Sequence, residues 1–371
     1  MLAVLTGTRP GIIKFAPIVR ALERRHVPFL LIHSGQHYSP EMDAVFFQEL
    51  ELPAPTYKLD VVRHFPLQGE QTAEMLRGIE RILIDTHPEL LLVGGDCNTH
   101  LAGALAARKL HVPIGHVEAG MRSGDWRMSE EHNRVIIDHI SEYLFVHGPA
   151  ATANLEREHV SGAIHEVGTT IVDAVEQNLP LARRRSAIQA HLGLESRAYL
   201  LATTHRAENV DDPATLQAIL QGLAEAARRT ELPIIFPIHP RTRRRLQELA
   251  VDLDAAAWQR IRCLPPLGYF DFLALLANAA VLLTDSGGAQ QEAAILRVPC
   301  VTLREVTEWQ ETLRLGANIA AGTSPERIAE AVVRMLEVPR TWPDPFGPAG
   351  AGAAIADIAL QAIAAPAGVL A

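Results

Sequence analysis

Residues 115–134 read GHVEAGMRSGDWRMSEEHNR, and the segment Ile114–Val117 that leads into them is short and apolar. An apolar run of this length followed by glycines predicts a buried strand that ends in a turn. Loops at strand ends carry much of the chemistry of α/β proteins. Carboxylates at two separated points of such a loop, which here contains Glu118, Asp125, Glu130 and Glu131, can supply an acid and a base. The alternative is a solvated loop whose charges pair with one another.

The alternation of strand, loop and helix extends along the first half of the chain. Short apolar segments, each followed by a glycine or polar turn and a helical apolar pattern, predict strands of a doubly wound parallel sheet. The predicted strands are Leu2–Thr6, Phe29–Ser34, Leu90–Val93, Ile114–Val117 and Tyr143–Val146. GTRPG, SGQH, GGDCNTH and HVEAG follow strand ends, which is where such sheets bind ligands.

A second series of the same kind follows the helical segment Ile171–Leu194. Its predicted strands are Tyr199–Thr203, Ile234–Ile238, Ile261–Leu264, Val281–Thr284 and Val301–Leu303. The fold class predicted is therefore α/β, with two Rossmann-like domains, parallel sheets and a ligand cleft between the domains.

The composition limits the classes of function. A chain of 371 residues is long for one core, so two domains are expected. The net charge of −9 argues against a general nucleic-acid binder. The start MLAVLTGTRPG does not resemble a signal peptide, and no run approaches the ~18 apolar residues of a membrane helix. We therefore expect a cytoplasmic protein without membrane or nucleic-acid partners.

Cys97, Cys263 and Cys300 are too far apart to suggest a disulfide framework.

Two glycine-rich turns are candidate anion sites. GTRPGIIK places Arg9 and Lys14 around a helix start, where backbone N–H groups favour a phosphate, although a plain strand-to-helix turn would look the same. SGGAQQEA combines Ser286 with two glycines at a helix start and is the stronger phosphate candidate. Glu292, further along, could accept hydrogen bonds from ribose hydroxyls. The alternatives are an N-cap at Ser286 and a first-turn charge at Glu292.

Two further positions allow more than one interpretation. Asp96 follows a strand and could cap the next helix or serve a ligand, and capping is the commoner role. His116 and Glu118 are two residues apart at a strand end and could suggest a metal. No third ligand accompanies them, so no metal site and no cofactor are expected.

With these motifs assembled, the chain resembles the non-hydrolysing UDP-N-acetylglucosamine 2-epimerases along nearly its whole length. The motifs that carry the resemblance, in the family's order, are GTRPGIIK, SGQH, GGDCNTHLAGALAA, GHVEAGMRS, EEHNR, THRAEN, IHPR and TDSGGAQQEA. The resemblance implies a glycosyltransferase-B type fold with domains at 1–170 and 171–354. It also implies that a final helix within 355–371 packs back on the first domain, and that the protein is a homodimer.

The implied reaction inverts C2 of UDP-N-acetylglucosamine and gives UDP-N-acetylmannosamine. UDP leaves by elimination to give 2-acetamidoglucal and then adds back with the proton on the opposite face. The resemblance implies a catalytic role for Asp96, Glu118, Glu130 and His205. It implies substrate or UDP contacts for Arg9, Lys14, Arg206, Phe272, Ser286, Gly287, Gly288 and Glu292. Which carboxylate acts as acid and which as base stays open. Arg122, Asp125 and Arg134 are expected to hold the loop in shape.

Several positions depart from the family's pattern. Gly11 replaces the Glu of GTRPE, Leu267 stands where some members have Gln, and the loop before Glu130 is two residues shorter than in some relatives. Tyr38 and His239–Arg241 differ from the sequences that bind an activating second substrate, so substrate activation is not expected.

The substitution with the largest bearing on substrate is TEWQE, residues 307–311, in place of TERPE. It resembles a branch that acts on UDP-2,3-diacetamido-2,3-dideoxy-glucuronic acid, which is the alternative substrate. A hydrolysing epimerase, a glycosyltransferase and a non-catalytic UDP-sugar binder are further alternatives. The last two would not need all of Asp96, Glu118 and Glu130.

Overall fold

The computed structural model describes most of the chain. The described residues are 1–35, 40–59, 65, 67–248 and 259–364, with the backbone alone for 40–43. Tyr38 and the last two residues of SGQH lie outside them.

The chain forms two compact units. The first comprises Met1–Glu176 and the chain from Phe346 onward, and the second comprises Gln177–Pro345. Each unit contains one sheet in which every described strand pair is parallel. The predicted class of two Rossmann-like α/β domains is therefore confirmed.

The sheet of the first unit has the order β3-β2-β1-β4-β5-β6-β7. Its strands are β1 Leu2–Thr6, β2 Phe29–His33, β3 Tyr57–Lys58, β4 Leu90–Gly94, β5 Ile114–Val117, β6 Tyr143–Val146 and β7 Ala163–Glu166. The strand order reverses beside β1, so the loops after β1, β4 and β5 leave neighbouring strands on the same edge.

The sheet of the second unit has the order β10-β9-β8-β11-β12-β13. Its strands are β8 Leu200–Thr203, β9 Ile234–Pro237, β10 Ile261–Leu264, β11 Val281–Thr284, β12 Cys300–Thr302 and β13 Asn318–Ala320. The central strands β8 and β11 pair with Thr284 opposite Thr203, so the loops that follow them start side by side.

Helices connect the strands and cover the sheets. In the first unit they are α1 Arg9–Arg24, α2 Pro40–Glu49, α3 Gln68–Thr86, α4 Asn98–Lys109, α5 Ser129–Ile140 and α6 Pro149–Arg157, with α7 Thr170–Arg185 running across the boundary. In the second unit they are α8 Ile188–Leu192, α9 Ala207–Val210, α10 Pro213–Thr230, α11 Pro240–Glu248, α12 Tyr269–Asn278, α13 Gly287–Ile295, α14 Gln310–Arg314 and α15 Pro325–Leu336.

The last described helix, α16 Ala351–Ala364, belongs to the first unit and packs on α1. Gly352 makes this contact possible, since a Cβ there would lie 2.6 Å from the Cβ of Pro17. Arg25 and Asp357 form an ion pair across the same contact, with Nη2 and Oδ1 2.7 Å apart. No helix among the described residues is long and apolar enough to span a membrane.

Sequence pattern located the central strands better than the edge strands. β3, β7 and β13 were not predicted, because each has four residues or fewer and lies at or near a sheet edge, where side chains are not fully buried. The predicted helical segment Ile171–Leu194 is two helices, α7 and α8, with a break after Arg185.

Candidate active site

Lys14 and Glu118 form an ion pair at the strand-end edge of the first unit. Lys14 lies in α1, after the β1 turn, and Glu118 directly follows β5. The turn after β4 lies beside the same pair. A Cβ placed on Gly95 would be 3.5 Å from Lys14 Nζ and 3.7 Å from Glu118 Oε2. The structure thus brings three of the predicted motifs together.

Glu118 combines two unusual features. Its backbone has φ of +66°, a left-handed conformation that costs a non-glycine residue about 1–3 kcal/mol. Glu118 is 5% exposed, and its buried Oε1 has no hydrogen-bond partner among the described residues. An unpaired buried acceptor is costly unless a ligand or another group satisfies it. Glu118 therefore has the properties expected of a reactive carboxylate.

A buried ion network fixes the turn that contains Glu118. Asp138 of α5 is fully buried and accepts from His116 Nδ1 at 2.7 Å, from Arg122 Nη1 at 2.8 Å and from Gly120 N at 3.1 Å. Burial acts to raise the pKa of Asp138, but His116 and Arg122 outweigh it and hold the pKa below its usual range. Arg122 also binds Glu158 through two nitrogens, Nε at 2.8 Å and Nη2 at 2.6 Å.

His116 does not offer a nitrogen to a metal. Its Nε2 lies 2.9 Å from the Gly95 carbonyl oxygen, and its Nδ1 contacts Asp138. Because both ring nitrogens face acceptors of the protein, the ring is a structural link between β4, β5 and α5. No group of three or more His, Cys, Asp or Glu side chains that could hold a metal occurs among the described residues.

Asp96 binds a buried arginine and does not cap a helix. Its Oδ2 accepts from Arg134 Nη2 at 2.7 Å, while Cys97 occupies the N-cap of α4 without a side-chain hydrogen bond. The capping role favoured from the sequence is therefore wrong. Asn133 also donates to the Asp96 carbonyl oxygen at 2.8 Å. The side chain of Asp96 remains about 31% exposed, so one face of the carboxylate is open to solvent.

The two glutamates of the EEHNR motif have different environments. Glu131 is 2% exposed and accepts from Ser123 N at 2.9 Å, Ser123 Oγ at 2.8 Å and Gly124 N at 3.0 Å, so it shapes the loop. Glu130 is partly exposed in the first turn of α5, where Ser129 Oγ donates to it at 3.2 Å. Of the two, Glu130 is the carboxylate that a ligand can reach.

Arg9 occupies the first turn of α1, and its guanidinium carbon lies 5.9 Å from the centroid of the Phe46 ring. Thr8 caps the helix by accepting from Gly11 N at 3.2 Å. The helix start therefore presents both a side-chain cation and the positive end of the helix dipole, an arrangement that favours an anion.

In the second unit, Asp285 joins the THRAEN and DSGG motifs. It directly follows β11, is fully buried, and accepts hydrogen bonds from the loop that follows β8. The donors are Thr204 Oγ1 at 2.5 Å, His205 N at 3.0 Å, Arg206 N at 3.0 Å and Asn209 Nδ2 at 3.1 Å, and Nδ1 of the His205 ring lies 3.0 Å from Oδ1 of the same carboxylate. Burial acts to raise the pKa of the Asp285 carboxyl, but His205, Thr204 and Arg206 hold it far below its usual range.

Ser286 caps α13, accepting from Ala289 N, and Gly287 and Gly288 form the first turn. The N-cap, which was the alternative interpretation of Ser286, is present in the structure, and the cap leaves other N–H groups of the turn for an anion. A Cβ at position 287 would collide with Glu308 Oε1, so a side chain there would require the Glu308 side chain to move. At Gly288 no heavy atom of the described residues lies within 4 Å of the corresponding position.

Glu308 links the TEW sequence to this turn. It is buried, its Oε2 lies 3.0 Å from Arg304 Nη1, and its Oε1 lies 3.7 Å from Arg206 Nη2. Trp309, which stands where an arginine was expected, is 1% exposed and lies beside Gly287. The substitution therefore replaces a cation with a buried apolar ring at the edge of the candidate phosphate site.

Glu292 and Phe272 lie on helices of the second unit. Glu292 is the sixth residue of α13 and is 5% exposed, so it is not the first-turn charge that was the alternative interpretation. Phe272, in α12, is partly buried against an apolar cluster that also includes Leu267.

Sequence reasoning missed the two aspartates that organise the site, Asp138 and Asp285. Asp285 stands within the TDSGGAQQEA motif, and its place as the first residue after a buried strand was a usable signal. Asp138 lies in the last turn of α5, 20 residues after Glu118, and its contact with His116 depends on the packing of α5 on the sheet. No local pattern indicates such a contact.

The comparisons with known proteins identify the family of the chain. A family model described as UDP-N-acetylglucosamine 2-epimerase matches residues 20–360. The chain belongs to this family. A UDP-N-acetylglucosamine 2-epimerase from Methanocaldococcus jannaschii is 46% identical over 360 residues, 96% of this chain and 98% of the relative.

Two further similarities extend the comparison. A crystal structure of the Methanocaldococcus jannaschii UDP-GlcNAc 2-epimerase in complex with UDP-GlcNAc and UDP has a TM-score of 0.92, 46% identity, and covers 97% of this chain and 99% of the other. A UDP-2,3-diacetamido-2,3-dideoxy-D-glucuronate 2-epimerase from Pseudomonas aeruginosa is 39% identical over 332 residues, 88% of this chain and 90% of the relative. This member of the epimerase family therefore resembles enzymes named for two different sugars.

Proposed function

We propose that this protein catalyses the non-hydrolysing C2 epimerisation of UDP-N-acetylglucosamine to UDP-N-acetylmannosamine. The observation that carries the proposal is the buried Glu118 carboxylate, paired with Lys14 through one oxygen and without a described partner on the other. A carboxylate in this environment suits proton transfer at a weakly acidic carbon. Membership of the epimerase family supports the sugar nucleotide as substrate.

In the proposed reaction, UDP leaves by elimination while a base removes the C2 proton, and 2-acetamidoglucal stays bound. UDP then adds back and the proton returns to the opposite face of C2. Inversion needs acid or base groups on both faces of the ring, and we assign Asp96, Glu118 and Glu130 to these roles. Glu118 and Glu130 differ strongly in burial, which is the situation that separates an acid from a base.

Departure of the diphosphate requires positive charge and hydrogen-bond donors near its oxygens. Arg9 and Lys14 of the first unit, and His205 and Arg206 of the second, are the side chains that we assign to this task. Ser286, Gly287 and Gly288 would hold phosphate at the start of α13, with Glu292 at the ribose and Phe272 near uracil. We further infer a cytoplasmic homodimer, on the family resemblance.

Two observations favour a second substrate. The buried Trp309 occupies the position of an arginine in TERPE, and the 39% identical relative from Pseudomonas aeruginosa is named for a diacetamido glucuronate. UDP-2,3-diacetamido-2,3-dideoxy-glucuronic acid is therefore the alternative substrate. Its C2 inversion would use the same side chains.

The test is incubation with UDP-N-acetylglucosamine in D2O, followed by NMR of the sugar. We expect deuterium at C2 together with UDP-N-acetylmannosamine. A parallel incubation with the diacetamido uronic acid serves as the control for substrate. Exchange in that incubation alone would select the alternative substrate. Binding of both nucleotides without any exchange would contradict the enzyme assignment and indicate a UDP-sugar binder.

A further inference from the structure

The His205–Asp285 pair joins a partly exposed histidine ring to a buried carboxylate. The His205 ring is bound to Asp285 through Nδ1, at 3.0 Å, and its main-chain N–H donates to the same carboxylate. The carboxylate is fully buried, whereas the His205 side chain is 36% exposed. Backbone and ring are thus both anchored from inside the protein, which leaves Nε2 as the nitrogen available to a ligand.

Charged and titratable side chains from several elements surround the His205 ring. Asp285 faces it from the end of β11, and the His239 ring, which follows β9, lies 5.5 Å away between centroids. Arg206 is adjacent in sequence, and its Nε donates to the Asp285 carbonyl oxygen at 2.9 Å. Glu308 contacts the other end of the Arg206 guanidinium, at 3.7 Å. The anion in contact with the His205 ring is therefore the Asp285 carboxylate.

We propose that Asp285 is a positioning residue of the epimerase reaction: it holds the His205 ring through Nδ1 and aims Nε2 at the departing diphosphate of UDP. This inference rests on the proposed function. A histidine ring anchored by a buried aspartate is kept in one orientation.

The step balances without an additional reactant. As the bond between C1 and the diphosphate oxygen breaks, its electron pair stays on that oxygen, and the proton from C2 goes to the base. Nε2–H of His205 donates a hydrogen bond to the diphosphate oxygen but does not transfer its proton. The charge that develops on the leaving group meets a preorganised donor, which is the arrangement that lowers a barrier most effectively.

The test compares Asp285→Asn with Asp211→Asn, a matched control in the same unit. Asp211 forms its ion pairs at the surface, with Arg241 and Arg245. Histidines are labelled with 15N, and the His205 signals are assigned by their loss in His205→Asn. In the wild type we expect a proton on Nδ1 at neutral pH and a shift of the Nε2 signal when UDP is added.

In Asp285→Asn we expect loss of the Nδ1 signature and a fall in turnover on the order of 10²- to 10⁴-fold, the range seen when an oxyanion donor or its orienting aspartate is removed. UDP affinity should change much less. Asp211→Asn should keep wild-type spectra and turnover.

Three results would overturn the proposal: an unprotonated Nδ1 in the wild type, no response of Nε2 to UDP, or turnover of Asp285→Asn equal to that of Asp211→Asn. The first two are measured on the wild-type protein, with His205→Asn used only to assign the signals, so they test the proposal even when Asp285→Asn does not fold. They also need only UDP and no sugar, so they distinguish failure of this inference from an error in the proposed substrate.

Discussion

The two units each contain a buried aspartate bound to a histidine, but they use the pair differently. In the first unit Asp138 binds His116 at 2.7 Å, and the ring is fully buried with Nε2 on the Gly95 carbonyl oxygen. In the second unit Asp285 binds His205 at 3.0 Å, and the ring is 36% exposed. We call the His116–Asp138 pair the closed pair, because both ring nitrogens contact groups of the protein. We call the His205–Asp285 pair the open pair, because its ring is partly exposed.

The difference shows that exposure of the second ring nitrogen decides the role of such a pair. The closed pair has no donor or acceptor left for a ligand, so it can only hold the turn that carries Glu118. The open pair has Nε2 available, so it can act on an anion directly. We therefore expect changes at the closed pair to lower stability and changes at exposed or incompletely paired groups to lower turnover.

The largest effect is expected at Glu118, the group that the closed pair supports. Glu118→Gln keeps the shape of the side chain but cannot take a proton, so turnover should fall about 10²- to 10⁴-fold. UDP affinity should stay within about threefold of the wild type, because we assign UDP mainly to the second unit. Steady-state kinetics and calorimetric titration with UDP measure the two quantities.

Glu166→Gln, at an exposed position of β7, is the control for Glu118→Gln and should behave as the wild type. Turnover near the wild-type value in Glu118→Gln would show that the acid/base assignment is wrong.

The next effect tests the closed pair itself. Asp138→Asn removes the anion between His116 and Arg122, and loss of one partner of a buried ion pair costs about 3–5 kcal/mol. Thermal unfolding should therefore occur on the order of 10 °C lower. Asp357→Asn, which breaks the exposed pair with Arg25, should change stability by about 1 kcal/mol or less.

The lowered pKa of Asp138 gives this prediction a pH dependence. A carboxyl whose pKa is lower in the folded state stabilises the fold fully above its unfolded pKa of about 3.9, and this stabilisation is lost as pH falls through the folded pKa. The difference in unfolding temperature between wild type and Asp138→Asn should have its maximum value above about pH 4 and should decrease as the pH falls below that. A difference that stays constant to low pH would mean that the ionised carboxylate is not the stabilising group.

The smallest effect concerns the turn beside the open pair. Gly287→Ala would place a methyl group against Glu308 Oε1, and relief of such a clash costs about 1–3 kcal/mol. Since Glu308 also contacts Arg206 and Arg304, its displacement should weaken UDP binding by about tenfold. Titration with UDP measures this.

Gly69→Ala, at a helix position with no described heavy atom within 4 Å, is the control for Gly287→Ala and should bind UDP normally. Unchanged UDP binding in Gly287→Ala would remove this turn from the proposed phosphate site.

Local pattern predicted the central elements of both sheets and the motifs at their strand ends. β1, β5, β6 and β11 have the predicted bounds, because continuous apolar runs between turns are typical of strands buried on both faces. Lys14, Asp96 and Glu118 are among the predicted site residues, and the structure places Lys14 and Glu118 in contact. Of the edge strands, β10 has the predicted bounds, whereas β3, β7 and β13 lacked that pattern and were missed.

The sequence by itself determined the fold class, the family and the order of the motifs, since these depend on periodicity and residue type along the chain. Only the tertiary structure decided which aspartate holds which histidine, that Asp96 binds Arg134 and does not cap a helix, and that a buried oxygen of Glu118 has no hydrogen-bond partner among the described residues. The three aspartate contacts join residues 22 to 80 positions apart. Burial and ion pairing arise from the packing of helices on a sheet, which no local stretch of sequence specifies.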